Sequence, residues 1–400
     1  MRPHHLSLLG LLAGVGPLAA QVRPGIEVLL ADSIHLVAGK RVALLTNQTG
    51  VDRQGRRDVD LLRSTAGVEL RLLFSPEHGF RGVEDRPGLP DGVDSATGLP
   101  IYSLYGGTPL SDVAALDSTD VVLVDLQDIG ARYYSYPTVA VLLMREATRR
   151  GKPVVVLDRP DPLGGTVVQG SAPATRGPLA GVADFLPMPM RHGTTLGEMV
   201  RMANAVYAIH ARLTVVPAAG WRRSQYYDET GLPWVKPSPN MPDLESAIHY
   251  PGTCLFEATN LSVGRGTDFA FQAIGAPWLD PAKVLARLGP TPGVALDSVT
   301  FTPRAPTDGK YDGVALPGLR LRVTDRQRYD PAATAVALLV AIRAAQRDSL
   351  RFNVARFDQL AAGPALRRAI LAGRSVGAIA RAWQPALARF RRERGKYLLY

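Results

Sequence analysis

The chain has 400 residues, of which 46% are hydrophobic and 20% charged, a composition that can bury a large core and excludes an intrinsically disordered protein. This length favours two domains. The 46 basic residues exceed the 36 acidic ones and give a net charge of +10, but they are dispersed along the chain. A dispersed excess favours solubility or attraction to an acidic polymer, so no nucleic-acid partner is predicted.

Residues 1–20 have the pattern of a secretory signal peptide. Basic Arg2 precedes an apolar stretch from Leu6 to Val15, and small residues follow before Gln21. The apolar stretch is too short to span a bilayer as a helix, and no later stretch is long enough either. We therefore expect an exported protein, periplasmic or extracellular, without stable membrane insertion. Its single cysteine, Cys254, cannot form an intramolecular disulfide and is expected to be buried.

From residue 25 to about 220, short apolar runs alternate with helical spacers. Uniformly apolar strands separated by helices are typical of a parallel sheet covered on both faces. Strands are predicted at residues 41–46, 69–74, 120–126, 153–157 and 213–217, and helices at 57–64, 138–150 and 195–209. The last helix begins with a capping box formed by Thr195 and Glu198. These elements predict an α/β fold, a Rossmann-like, doubly wound and mostly parallel sheet over residues 22–240.

The second part of the chain begins with a proline-rich passage, residues 231–242, that is typical of an ordered connector between domains. We expect its Trp234 to be exposed and able to form the wall of a pocket. Beyond it, strands are predicted near 298–301 and 319–323, a helix from Asp330 to about 347, and a closing helix over 375–394. A second, smaller C-terminal α/β domain is therefore predicted over residues 241–400.

Polar side chains follow each of the first four predicted strands, and also a predicted short edge strand at residues 185–190. They are Asn47 and Gln48, Glu77 and His78, Gln127, Asp128 and Arg132, Asp158 and Arg159, and finally Arg191 and His192. The carboxyl ends of strands in such a sheet share one edge, where ligands bind, so we expect these exits to line one crevice. Turn chemistry explains the glycines, the prolines and some aspartates, but not Glu77 with His78.

Several motifs of bound-cofactor enzymes are absent from the sequence. No G-x-G-x-x-G follows the first strand, and neither a Walker loop nor H-E-x-x-H is present. Only His78 and His192 among the histidines follow predicted strands, too few for a metal site. We therefore predict no cofactor and no metal, and expect the chemistry to come from carboxylates, amides and arginines.

The strongest motif is Ser75-Pro76-Glu77-His78-Gly79-Phe80. The segment that contains it, residues 75–82, together with seven others resembles the exo-β-N-acetylmuramidase family (NamZ-type). The other matching segments are residues 45–50, 100–106, 125–134, 157–160, 237–242, 250–260 and 264–267. The similarity runs from about residue 25 to Tyr400, and the motifs are long and ordered.

The resemblance implies an exo-glycosidase of cell wall turnover that removes terminal N-acetylmuramic acid from the non-reducing end of peptidoglycan fragments. The partners it implies are muropeptides and the disaccharide of N-acetylmuramic acid and N-acetylglucosamine. It also implies a Rossmann-like catalytic domain, a smaller C-terminal domain with the cleft between them, and a catalytic glutamate at Glu77. One departure is Val263, because the family often has a second acid in the stretch before residues 264–267.

Glycoside hydrolysis typically needs a carboxylic acid that protonates the leaving oxygen and a second carboxylate on the opposite face. Glu77 suits the acid, because we expect flanking Phe74 and Phe80 to desolvate it and raise its pKa. His78 would orient Glu77 or contact the substrate. The second carboxylate is left open among three acids. These are Asp125, Asp128 and Glu257.

The lactyl carboxylate of N-acetylmuramic acid calls for a guanidinium, whose planar fork binds a carboxylate bidentately. Arg132 and Arg265 are the best candidates, followed by Arg159 and Arg191. Asn240 and Asn260, which lie in the matching segments, complete the predicted substrate-binding set. The alternative is a non-catalytic muropeptide-binding protein of the cell envelope.

Overall fold

The computed structural model describes residues 21–86, 88–105, 113–177 and 186–400. The predicted signal peptide, residues 1–20, lies outside the described residues. Within the described part of the chain, no helix combines the length and apolar character needed to cross a membrane.

The first domain contains a seven-stranded sheet, counted over the described residues. Its strands are β1 (Lys40–Thr46), β2 (Val68–Ser75), β3 (Gly92–Val93), β4 (Pro100–Ser103), β5 (Val121–Asp125), β6 (Val154–Leu157) and β7 (Leu213–Val216). They lie in the order β3-β4-β2-β1-β5-β6-β7, and every neighbouring pair is parallel except β3 with β4. The six parallel strands follow the doubly wound order 3-2-1-4-5-6, which confirms the predicted fold.

Helices cover both faces of this sheet. They are α1 (Gly25–Asp32), α2 (Asp58–Ser64), α3 (Tyr136–Arg149) and α4 (Leu196–Val206). Alternate residues of β1 point to opposite faces, as the pleat requires, so Val42 and Leu44 pack with α1 and α2, while Ala43 and Leu45 pack with α3 and α4. The predicted capping box of α4 is present between Thr195 and Glu198. The uniformly apolar strands therefore belong to a sheet that is buried on both sides.

The second domain is smaller and contains an antiparallel sheet, as the predicted two-domain organisation requires. Its strands are β8 (Ala273–Gly275), β9 (Val294–Phe301) and β10 (Leu316–Val323), in the order β8-β10-β9. Its helices are α5 (Leu244–Thr253), α6 (Pro281–Leu285), α7 (Pro331–Ala345), α8 (Val354–Leu360), α9 (Ala365–Leu371) and α10 (Val376–Arg394). Asp330 caps α7 by accepting a hydrogen bond from the amide of Ala333 at 2.9 Å, as predicted for a helix that begins with proline. Cys254 is fully buried.

Two predictions about local structure are wrong. The predicted edge strand at 185–190 is irregular over its described part, residues 186–190, because Pro187 and Pro189 cannot donate backbone hydrogen bonds to a ladder. Phe185 lies outside the described residues. Trp234 is half-buried rather than exposed, since its ring packs against Tyr227 with centroids 5.3 Å apart and its Nε1 donates to the carbonyl of Met241.

Asp158, directly after β6, is a buried carboxylate that holds three parts of the fold together. It accepts hydrogen bonds from Thr195 Oγ1 at 2.6 Å, from the amide of Gly197 at 2.8 Å and from Tyr400 Oη at 2.8 Å. Burial raises the pKa of Asp158 to about 7, against the effect of these donors. A carboxyl group whose pKa is higher in the folded state binds its proton more tightly there, so ionisation of Asp158 opposes folding.

We predict that Asp158→Asn becomes more stable relative to the wild type as the pH rises from 4 to 7. At a pH below the pKa that Asp158 has in the unfolded chain, protonated Asp158 stabilises the fold. This contribution to the free energy of unfolding, roughly 4 kcal/mol from the difference between the two pKa values, is lost as the pH rises through the pKa of Asp158 in the folded state. Asparagine cannot ionise, and its amide group can bond the same hydroxyls. Urea unfolding at several pH values measures the difference. The exposed Asp348→Asn serves as control and should show a flat difference; an equally flat profile for Asp158→Asn would contradict the assignment.

Candidate active site

A pocket of about 200 Å³ opens beyond the carboxyl end of β2, and both domains contribute to its walls. The residues that line it are Glu77, His78, Asp85, Tyr105, Tyr133, Tyr134, Ser135, Ser238, Asn240, Met241, Tyr250, Glu257, Arg265, Phe271 and Arg356.

Glu77 occupies the turn that follows β2 and is only partly buried. Its carboxylate is hydrogen-bonded to the hydroxyl of Ser135, the residue that precedes α3, and to the hydroxyl of Tyr105. Burial, and then the charge and hydrogen bond of Glu77, raise the pKa of Tyr105 to about 12. A hydroxyl group can donate to an ionised carboxylate and accept from a protonated one. Both partners therefore suit a group that releases and regains a proton.

The predicted flanking of Glu77 by two phenyl rings is not what the structure shows at the pocket. Phe74 is fully buried in the core of the sheet, and Phe80 packs in the core on the opposite face. Neither ring lines the pocket. His78 does line it, with a left-handed backbone conformation (φ 69°), which non-glycine residues rarely adopt. Its Nδ1 lies 2.7 Å from the carbonyl of Glu84.

Two further carboxylates, Asp85 and Glu257, lie in the same pocket, and one arginine joins them. Arg265 Nη1 lies 3.0 Å from Asp85 Oδ2, while its Nε and Nη2 lie 2.7 and 2.6 Å from Glu257 Oε1. Asn240 also donates to Asp85 Oδ2 at 2.7 Å, and His78 Nδ1 is 3.5 Å from Asp85 Oδ1. Because Asp85 belongs to the first domain, whereas Arg265 and Glu257 belong to the second, the ion pair of Arg265 with Asp85 crosses the cleft.

Aromatic rings form the apolar part of the wall. Tyr133 meets Tyr250 edge to face with centroids 5.9 Å apart, and Tyr250 meets Phe271 in the same way at 4.6 Å. Tyr134 packs against Tyr136 at 4.7 Å. Rings with hydroxyl groups present an apolar surface and a polar end together, which suits the apolar face and the hydroxyls of a sugar.

Five of the predicted site residues meet in this pocket. They are Glu77, His78, Asn240, Glu257 and Arg265. The strand exits share one sheet edge, as predicted, because β1, β2, β5 and β6 are parallel. The exits of β2, of β4 with Tyr105 and, further along its loop, of β5 reach the pocket.

The residues after β1 have other partners. Asn47 is buried, accepts from Thr49 through Oδ1 and donates to the hydroxyl of Tyr136 at 2.9 Å. Gln48 donates to the carbonyl of Lys236 at 2.8 Å. Both therefore support the elements that surround the pocket, and neither lines it.

Gln127, Asp128 and His192 form a buried group behind the pocket. Gln127 Nε2 donates to the carbonyls of Asp128 and Pro160 at 2.7 and 2.9 Å. Asp128 accepts from the amide of Gly130, and its Oδ2 lies 3.4 Å from His192 Nε2. The pocket lining includes none of the three.

Arg159, Arg132 and Arg191 are also buried and lie outside the pocket lining. Arg159 pairs with Asp125 through two hydrogen bonds, at 2.5 and 3.0 Å. Arg132 donates to the carbonyls of Ser171 and Met188, at 2.8 and 3.0 Å, and to that of Leu360. Their charges are thus engaged by protein groups.

Asn260 ties two loops of the second domain together. Its amide donates to the carbonyl of Ser349 at 2.9 Å and accepts from the amide of Arg351 at 2.8 Å. Sequence reasoning assigned it to the substrate, but the structure gives it protein partners outside the pocket.

Sequence reasoning missed several residues that the structure brings to the pocket. Five of them lie inside or next to the segments that resemble the family, and this location was the available signal: Tyr105, Tyr133, Tyr134, Ser135 and Ser238. Asp85 and Arg356 lie outside those motifs. No local pattern distinguishes them from other surface charges.

Comparison with known proteins identifies relatives along nearly the whole chain. Residues 42–245 match the family described as exo-beta-N-acetylmuramidase NamZ, N-terminal, and residues 248–400 match its C-terminal counterpart. The peptidoglycan beta-N-acetylmuramidase NamZ of Bacillus subtilis (strain 168) is 37% identical over 384 residues, which cover 95% of this chain and 92% of that protein.

Two crystal structures of DUF1343 family proteins from Bacteroides fragilis NCTC 9343 are also similar to this chain. Each comparison covers 95% of this chain and 99% of the other. The TM-scores are 0.84 at 30% identity and 0.74 at 28% identity. The similarity therefore extends over both domains.

We predict that Arg265→Ala lowers the free energy of unfolding by about 2–3 kcal/mol, because it leaves Asp85 and Glu257 without a cation in a partly buried site. Glu257→Gln should lower the free energy of unfolding less in this variant than it does in the wild-type protein. Arg326→Ala, which removes the exposed interdomain pair with Asp228, is the matched control, with an expected loss below about 1 kcal/mol. Urea unfolding measures the wild type and the four variants, and equal losses for both arginines would contradict this role of Arg265.

Proposed function

This chain belongs to the exo-β-N-acetylmuramidase NamZ family of peptidoglycan glycoside hydrolases, and we propose that it removes terminal N-acetylmuramic acid from the non-reducing end of peptidoglycan fragments. Its substrates would be muropeptides and the disaccharide of N-acetylmuramic acid and N-acetylglucosamine. The proposal includes export to the periplasm or the cell exterior, on the basis of the leader-like residues 1–20.

The observation that carries this proposal is the position of Glu77 in a pocket built of carboxylates and aromatic hydroxyls. As a carboxylic acid, Glu77 would transfer its proton to the glycosidic oxygen while the bond from that oxygen to the sugar breaks. Ser135 and Tyr105 would hold the carboxyl group in place and exchange hydrogen-bond direction with it as its charge changes.

A second carboxylate would stabilise the positive charge that develops on the sugar or activate a water molecule. Asp125 and Asp128 are buried away from the pocket lining, so Glu257 and Asp85 are the acids placed to do this. Glu257 is favoured, because Asp85 also binds Asn240 and lies beside His78. Val263, where the family often has an acid, is fully buried in the apolar core.

The arrangement of the walls supports action on a chain end. The loop after β2, the start of α3, the connector and the second domain all contribute to the pocket. A terminal sugar enclosed on several sides leaves only one direction for the rest of the glycan to extend. This geometry supports the trimming of single terminal residues.

We predict that Glu77→Gln lowers the turnover of a chromogenic β-glycoside of N-acetylmuramic acid by about 10²–10⁴-fold, because the amide keeps the shape but cannot supply a proton. Binding of free N-acetylmuramic acid, measured by calorimetry, should remain close to that of the wild type.

Glu84→Gln is the matched control in the same loop, since its side chain pairs with Arg86 and does not line the pocket. It should keep wild-type turnover. A Glu77→Gln rate above about a tenth of the wild type would remove Glu77 from the acid role. A wild-type protein that binds the sugar without hydrolysing any glycoside would instead be a muropeptide-binding protein.

A further inference from the structure

Arg356 is a positively charged side chain of the pocket that has no anionic partner. It lies in the first turn of α8, is exposed, and contributes to the pocket lining. Its Nη1 donates to the neutral Gln359 Oε1 at 2.8 Å. Among the described residues, no carboxylate lies within ion-pair distance of this guanidinium.

The charges of the pocket lining are unequally shared. Three carboxylates, those of Glu77, Asp85 and Glu257, face two guanidinium groups. Arg265 uses its three nitrogens on Asp85, Glu257 and Thr307. An anionic ligand group entering this acidic pocket would therefore be repelled unless Arg356 receives it.

The position of Arg356 is fixed by both domains. Asn353 caps α8 by accepting from the amide of Arg356 at 3.2 Å, and its own amide donates to the carbonyl of Ala258 at 2.9 Å. At the other end of α8, buried Arg132 of the first domain donates to the carbonyl of Leu360. A cation at the carboxyl end of a helix is stabilising, so Arg132 anchors the helix that carries Arg356.

Arg356 also lies close to the reacting end of the pocket. Tyr105 is hydrogen-bonded to Glu77. Burial is the main reason that the pKa of Tyr105 is raised, and the charge of Arg356 is a smaller influence that lowers it. The charges of Glu77 and Arg356 therefore act on the same tyrosine, which lines the pocket together with both of them. On N-acetylmuramic acid, the glycosidic bond and the lactyl ether are attached to the same ring, so their binding groups must be close to each other.

We propose that Arg356 binds the lactyl carboxylate of N-acetylmuramic acid and thereby sets the preference for this sugar over N-acetylglucosamine. The inference rests on the proposed function. The planar fork of the guanidinium can donate two parallel hydrogen bonds to a carboxylate, which lysine cannot do. The arginines first expected in this role, Arg132 and Arg265, are occupied by carbonyls and by carboxylates of the protein.

The test compares three chromogenic β-glycosides, those of N-acetylmuramic acid, its lactamide and N-acetylglucosamine. For Arg356→Ala, kcat/KM for the muramic acid glycoside should fall roughly tenfold, whereas the two uncharged glycosides should change little. Arg356→Lys should recover only part of the loss. Arg351→Ala removes an exposed charge five residues away, outside the pocket lining, and should leave all three rates unchanged.

An unchanged ratio between the charged and uncharged glycosides in Arg356→Ala would overturn the inference and leave the proposed function standing. An equal fall for all three, in a variant of wild-type thermal stability, would also overturn it and assign Arg356 a general role. If the wild type hydrolyses none of them, the proposed function fails. Calorimetry with free N-acetylmuramic acid then tests Arg356 independently. The double variant Glu77→Gln with Arg356→Ala should bind the sugar roughly tenfold more weakly than Glu77→Gln alone.

Discussion

One guanidinium, that of Arg265, holds the pocket together across the two domains. It lies 3.0 Å from Asp85 in the loop after β2 and 2.6 Å from Glu257 after α5. Without this cation, two partly buried carboxylates would repel each other next to Glu77, and the cleft would open to hydrate them. The distance between Asp85 and Glu257, and with it the approach of the two domains at this wall of the pocket, therefore depends on the ion pairs of Arg265.

The position of the pocket follows from what fills the centre of the sheet. Doubly wound sheets usually bind ligands at the carboxyl ends of the two neighbouring strands where the strand order reverses. In this sheet those strands are β1 and β5. Here the buried pair of Asp125 and Arg159 lies at that point, next to Asp58, which accepts from Thr46 at 2.5 Å. Burial, and then the charge of Asp125, raise the pKa of Asp58 well above its usual range. A Cβ at Gly50 would lie 2.2 Å from Asp58 Oδ2, so the close packing requires glycine. Ligand space is therefore displaced to the exit of β2.

Most of the fold could be predicted because it depends on local patterns. The period of apolar residues specified the strands and the helices, and capping residues such as Thr195 and Asp330 marked the starts of two helices. The exit of β2 with Glu77 and His78 was predicted in the same way, since a polar turn after a buried strand is a local feature. The prediction of an edge strand at 185–190 was wrong for an equally local reason, because two prolines in this apolar run lack the backbone N–H that a strand needs.

The amino-acid sequence by itself determined the doubly wound sheet, the strand exit that carries Glu77 and, through its motifs, the family. Only the tertiary structure decided which of many acids and arginines face the pocket. Asp125 is neutralised by Arg159, 34 residues away, and Arg132 donates to the carbonyl of Leu360, 228 residues away. Arg356 has the same side chain as both of these arginines and meets no such partner. Ion pairs and carbonyl contacts form between residues that are distant along the chain, so no local pattern of residues can reveal which charges they leave for a ligand.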